Sequence, residues 1–311
     1  MSTEGSTRAV VTALAANLGI AATKFAAYLL SGSSAMLAES IHSVADSGNQ
    51  ALLLIGGRRA ARRATPEHPF GFGRERYLYA FLVAIVLFSL GGLFALYEAW
   101  HKIRDPHPIT AWHWVPVAVL LVAAVLEGSA LRTAVKESNA VRGRAGWVQF
   151  VRRAKAPELP VILLEDTGAL LGLLFALAGV SLTLVTGNGV WDGLGTGAIG
   201  VLLVAIAVVL AVEVKSLLIG EAAGPEHQRL IRDALCAADG VEDLIHMRTL
   251  HLGPEELLVA AKIAVDAGDD ARHVARAIDD AEARVRAAVP IARVIYLEPD
   301  IRRAGSAAAP R

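Results

Sequence analysis

Long apolar blocks alternate with short polar segments as far as about residue 220, and there the alternation stops. Six blocks, at roughly 9–31, 35–57, 77–100, 111–134, 160–186 and 194–218, are rich in Leu, Ala, Val, Ile and Gly. A bilayer core of ~30 Å takes about 20 helical residues to cross, and every block is long enough. Lipid leaves unpaired backbone groups unsatisfied, so each block is expected to be a helix. The first is too long for a signal-peptide core and no cleavage motif follows it, so it reads as a retained span. The second is the least apolar, carrying Glu39, His42, Asp46, Asn49 and Gln50.

Beyond Pro225 the pattern is that of a soluble domain. HQRLIRDALCAA predicts an amphipathic helix ended at Asp239-Gly240. MRTLHLG and ELLVAAKIAV flank Gly253-Pro254 as a hairpin would. DDARHVARAIDDAEARVRAAV has helical periodicity, and IARVIYLEP predicts a last strand. The order αββαβ implies a small α+β domain with its helices on one face of a sheet. The expected organisation is a tail over 1–8, a transmembrane domain over 9–220, the small domain over 221–302 and a disordered tail over 303–311.

Composition agrees with a membrane protein. Charged residues make up 19% of the chain, against about a quarter in an average soluble domain. The formal net charge is zero, so nothing global argues for nucleic acid. The single cysteine, Cys236, excludes an intrachain disulfide and a multi-cysteine metal cage. It is expected to be a small core residue of the C-terminal domain. Basic residues set the orientation. Six arginines lie between blocks two and three, and six Lys or Arg between blocks four and five, while the opposite turns hold only Lys102 and Arg104. The excess marks the cytoplasmic side, which places both termini there. The chain is expected to be a multi-pass protein of a bacterial-type plasma membrane, with Trp100, Trp112, Trp114 and Trp191 near span ends on the outer side.

The chemistry lies in the second and fifth blocks. His42 and Asp46 are four apart and share a helical face, with Asn49 and Glu39 three residues to either side. Glu165 and Asp166 stand inside PVILLEDTGALLGLL. A charge at the bilayer centre costs ~2.5–3.5 kcal/mol even on the lenient insertion scale. Several carboxylates gathered there are best compensated by a divalent cation, and imidazole with carboxylate suits zinc. The plainer alternative pairs His42 with Asp46, or either with Lys24 of the first block. Asn17, Asn49, Glu98 and Glu127 are expected to hydrogen-bond between helices, and Lys24 to supply a counter-charge or to snorkel. His101, His107 and His113 fall in outer loops. HExxH and related catalytic motifs are absent, so no enzyme is implied.

The stretch SGSSAMLAESIHSVADSGNQALLLIGGRRA followed by HPFGFGRERY resembles the cation diffusion facilitator family, and within it the zinc transporter 9-like branch. GEAA at 220–223 and LEDTGALLG at 164–172 agree with this, and the resemblance runs from about Ala13 through nearly the whole chain. It implies six transmembrane helices, cytoplasmic ends, a ferredoxin-like C-terminal domain, a homodimer, and exchange of divalent metal for protons, with no tightly bound cofactor. The family takes two ligands from span two at i and i+4, where His42 and Asp46 stand. It takes two more from span five at the same spacing. Asp166 fits the second, but the first is Ile162, which cannot bind metal. Glu165, about 100° round the helix from Asp166, Asn49 or water could fill that place. Of the second metal site that some relatives carry after span two, only His68 remains, with Thr65 and Phe72 at the other positions, so HPFGFGRE is expected to position helices. Lys262 and Tyr296 stand where domain metal ligands would be sought.

The expected function is therefore proton-coupled efflux of a divalent metal, zinc before cobalt, iron, manganese or nickel. His42, Asp46, Asp166 and Glu165 form the expected site, supported by Asn49, Glu39, Asn17 and Lys24. The alternatives are a metal-selective channel and a sensor or scaffold that has lost transport.

Overall fold

The computed structural model describes residues 3–109 and 112–302, with side chains from Asn17 onward; the tail expected over 303–311 lies outside the described residues. Helix α1 (Thr3–Ser31) is already under way in the segment that composition marks as a tail. Then follow α2 (Ser34–Ala60), α3 (Glu75–Val86), a π-helix (Leu87–Leu93), α4 (Phe94–Arg104), α5 (Trp114–Arg142), α6 (Trp147–Arg153), α7 (Glu158–Thr186) and α8 (Val190–Ile219). Among the described residues, four continuous helical segments are long and apolar enough to cross a membrane: Glu75–Arg104, Trp114–Arg142, Glu158–Thr186 and Val190–Ile219. Helix α2 has 27 residues, but Glu39, His42, Asp46, Asn49 and its terminal arginines dilute its apolar character. The short α6 has no counterpart in the sequence reading, because seven residues give too little periodicity to register.

Small residues let the helices meet. A Cβ on Gly179 of α7 would stand 2.8 Å from the Trp191 carbonyl and 3.2 Å from Gly195 Cα, and one on Gly195 of α8 would stand 2.8 Å from the Phe175 carbonyl. Close backbone approach through small residues is how helices pack where lipid supplies no hydrophobic drive.

The chain divides into two compact units, one of them made of Arg58–Arg76 together with everything from Ser216 onward. In that unit α9 (Pro225–Cys236), β1 (Asp243–Gly253), β2 (Glu256–Ala264), α10 (Ala271–Ala288) and β3 (Ala292–Asp300) follow in the expected order. Pro225 opens α9 where its missing N–H is not needed. The Asp270 side chain caps α10 by accepting from the Arg272 and His273 N–H groups. The sheet order is β1-β2-β3, antiparallel then parallel. Alternate β2 residues Leu257, Val259, Ala261 and Ile263 are buried against Ile231 and Leu235 of α9 and Ala277, Ala281 and Val285 of α10. Cys236 is a correction to the sequence reading: it is exposed, because it ends α9 beyond the buried stripe of Ile231 and Leu235. Lys262 bonds Asp300 at 2.9 Å and Glu298 at 3.0 Å. The Asp300 carboxylate, and after it Glu298, holds the Lys262 pKa above its ordinary value, so a cation occupies that position. The α2–α3 loop belongs to this unit. Gly73 lies against the β1–β2 turn so closely that its Cβ would stand 2.7 Å from the Leu252 carbonyl and 3.1 Å from Gly253 Cα.

In the other unit, the start of α2 is fixed by a carboxylate from a distant helix. The Asp192 side chain of α8 accepts from Ser33 Oγ at 2.7 Å, Ser34 N at 2.7 Å and Ala35 N at 3.3 Å. The two backbone N–H groups are orphan donors of a helix N-terminus, where a negative charge is also favoured by the dipole. Asp192 is fully buried. Lys102 stands 3.8 Å from it and donates to the Gly32 carbonyl at 2.9 Å. Ser34 Oγ donates to Glu98 at 2.9 Å, one of the interhelical bonds the sequence implied. Asp192→Ala is expected to leave Lys102 uncompensated and to cost about 3–5 kcal/mol. A thermal melt of the detergent-solubilised protein measures this, and the loss should shrink when Lys102→Met is added. An unchanged melting temperature for Asp192→Ala would show that the network contributes nothing.

Candidate metal transport site

Helix α2 presents Glu39, His42, Ser43, Asp46 and Asn49 on one side, and all five are buried. Glu39 leaves the group first. Lys24 of α1 pairs with it at 2.9 Å and donates to Ser43 Oγ at 2.9 Å, with both charged side chains essentially inaccessible. The lysine is therefore a counter-charge and does not snorkel, and its partner is Glu39 rather than His42 or Asp46.

Asp46 and Glu165 face each other. Glu165 is buried and accepts from Asn49 Nδ2 at 2.8 Å, and its carboxyl meets that of Asp46. Two carboxylates hold only acceptors, so a proton or a cation must join them. Asp46 Oδ1 has no hydrogen-bond partner. His42 packs beyond Asp46, its Nδ1 3.6 Å from Asp46 Oδ1, and neither ring nitrogen makes a hydrogen bond. Burial without a partner is costly for such groups, and here it leaves His42 and Asp46 with ligand atoms uncommitted. His42 lies beside the π-helix: a Cβ on Gly91 would stand 3.8 Å from Nδ1. A π-bulge frequently marks a functional position in a helix.

A polar cavity of about 60 Å³ is lined by Asn17 of α1, Asp46 and Gln50 of α2, Glu127 of α5, and Glu165 and Asp166 of α7. That exceeds the ~10–15 Å³ a single water requires. Glu165 and Asp166 both reach it although they are adjacent on the helix. His42 is not among its lining residues. Among the described residues, no three His, Cys, Asp or Glu side chains stand close enough together to hold a metal ion. The expected ligands are thus gathered in one region of the bundle without converging on one point. Ile162, where the resemblance to the family implies a ligand, packs against the cluster of Ala134, Phe150 and Leu163. Glu127 is the residue the sequence reading undervalued. It was expected to hydrogen-bond between helices, yet it brings a fourth carboxylate to the cavity from a third helix. Its place inside VLLVAAVLEGSALR is the same signal that singled out Glu165. His68 lies in the exposed α2–α3 loop with its ring 4.7 Å from that of Phe72.

Residues 10–219 match the cation efflux transmembrane domain. The chain belongs to the cation diffusion facilitator family. Among its relatives in that family are proteins named proton-coupled zinc antiporter SLC30A9, mitochondrial. The human one is 31% identical over 245 residues, covering 78% of this chain and 43% of the relative. That of Xenopus laevis is 30% identical over 246 residues, covering 78% and 44%. Metal tolerance protein C4 of Arabidopsis thaliana is 28% identical over 260 residues, covering 83% of this chain and 57% of the relative. The chain therefore spans less than half the length of the antiporters it matches. As a member of this family it is a helical membrane protein with a small C-terminal sheet domain.

Glu127→Gln is expected to weaken zinc binding to the full-length protein about tenfold, a loss of ~1.4 kcal/mol. Calorimetric titration in detergent reads this directly. Wild-type affinity in the variant would remove Glu127 from the site.

Proposed function

We propose that the chain exports a divalent metal ion, zinc foremost, in exchange for protons. The observation that carries this reading is the polar cavity bordered by four carboxylates from three helices of the bundle, with no basic residue among the described residues that line it. Asp46, Asp166 and Glu165 are the ligands proposed, with His42 joining from the neighbouring position and Glu127 contributing charge. Asn49 orients Glu165, and the Lys24–Glu39 pair neutralises the adjoining part of α2. The names of the relatives support zinc and protons as the exchanged ions.

Coupling follows from the chemistry of the ligands. Metal ligands must be deprotonated, so metal and protons compete for the same atoms. The proton that joins Asp46 to Glu165 in the empty site is released when a cation takes its place, and its return expels the cation. Exposure of one site alternately to the two sides then turns competition into transport. In this reading α1 and α2 complete a set of six spans, the basic loops and both termini lie in the cytoplasm, and the C-terminal αββαβ unit is a ferredoxin-like domain through which two copies associate.

Metal flux into proteoliposomes, across a panel of metals and with or without a pH gradient, tests the proposal. Asp46→Asn and Asp166→Asn each delete a charge while keeping shape. Each is expected to reduce zinc flux at least about tenfold, the effect of ~1.4 kcal/mol, with expression and folding unchanged. His42→Asp keeps a ligand of harder character and should shift preference towards manganese. Zinc transport at the wild-type rate in both asparagine variants would refute the site.

A further inference from the structure

A second cavity, far larger and almost wholly apolar, lies in the same unit. It has a volume of about 740 Å³, within the ~300–1,000 Å³ range of small-molecule sites. Leu131 of α5, Trp147 and Val151 of α6, Leu163 of α7, and Val208 and Val212 of α8 form its walls. Val148, Val208 and Val212 remain 72%, 51% and 59% exposed, so the cavity opens to the outside of the bundle. In a membrane-spanning protein that outside is the bilayer: hydrocarbon along α5, α7 and α8, and the headgroup interface where α6 lies. Phe150 anchors α6 by packing against Ala134 and Leu163, which lays the short helix across the mouth at the end where α5 stops and α7 starts.

The rim has the opposite character. Arg152 borders the cavity and reaches Glu213 at 3.5 Å with its side chain 71% exposed. Arg153 beside it is exposed, and Arg142 lies over the Trp147 ring, 4.2 Å from its centroid. Residues 138–157 contain Arg142, Arg144, Arg152, Arg153 and Lys155 and no acidic residue. Glu213 also lines the cavity, but Arg142, Arg152 and Arg153 outnumber it at the rim. An apolar chamber open to lipid with a net cationic rim is complementary to one kind of molecule, an amphiphile with apolar tails and an anionic head.

We propose that this cavity is a binding site for an anionic phospholipid, its acyl chains between α5, α6, α7 and α8 and its phosphate on Arg152 and Arg153. Basic pockets between membrane helices suit such headgroups, and an anionic leaflet draws basic segments towards it. The site is separate from the polar cavity, but the two share α7: Leu163, Leu164 and Thr167 face the lipid chamber, and Glu165 and Asp166 lie between them in sequence. The inference rests on the membrane-spanning reading and not on transport.

Trp147 reports on occupancy. The full-length protein is reconstituted in phosphatidylcholine vesicles carrying a minor fraction of either brominated phosphatidylglycerol or brominated phosphatidylcholine, since bromine quenches tryptophan on contact. The Trp147 signal is the difference between wild type and Trp147→Phe. Quenching by brominated phosphatidylglycerol is expected to be several-fold stronger at equal mole fraction. That preference should vanish in Arg152→Ala/Arg153→Ala and persist in Arg152→Lys/Arg153→Lys, all at exposed positions where folding is retained. Equal quenching by the two lipids would show bulk contact only and overturn the proposal. So would the absence of quenching by either, as expected if a second copy of the chain covers the cavity.

Discussion

An ionisable group inside a lipid-facing bundle must be paired, and that demand organises the transmembrane unit. Lys24 answers Glu39, and Asp192 answers both Lys102 and the open N-terminus of α2. These bonds tie α2 to α1 within its first three turns and to α8 at its start. The helix that carries the most polar residues is thereby held at a defined height and rotation. Breaking one partner of such a pair is far more damaging than never having had it, because the remaining charge stays buried.

What is left after this pairing is the proposed site. Asp46 and His42 have atoms that no protein group satisfies, and the carboxyls of Asp46 and Glu165 need a proton or a cation between them. An unsatisfied buried polar group is a cost that a binding site carries until its ligand arrives. Here the residual chemistry is oxygen-rich with one imidazole nearby, which suits a divalent cation and makes protons its natural competitor.

Helix α7 connects several parts of this arrangement. Its Gly179 admits close approach of α8, Glu165 and Asp166 line the polar cavity, and its opposite side borders the apolar chamber beneath α6. Ile162 stands where the resemblance to the family implies a ligand. It belongs to the apolar cluster beside α5 and α6, and Glu165, nearly one turn further on, faces α2.

The sequence by itself determined the elements and the cast of residues. Apolar blocks of spanning length, alternating strands and amphipathic helices are local patterns, so α5, α7, α8 and the whole αββαβ order were legible without any long-range contact. Intramembrane charge made His42, Asp46, Glu165 and Asp166 legible for the same reason: each is costly wherever the helix lies in lipid. Tertiary structure alone decided which charges cancel. Glu39 was indistinguishable from Asp46 by position on α2, until Lys24 reached across from α1 and claimed it. Glu127 looked like a bonding residue of an isolated span until α2, α5 and α7 enclosed one cavity. Cys236 sat in an apolar-looking run, yet the end of α9 left it outside the core. Pairing depends on rotations and heights of different helices, and no pattern along a single helix records them.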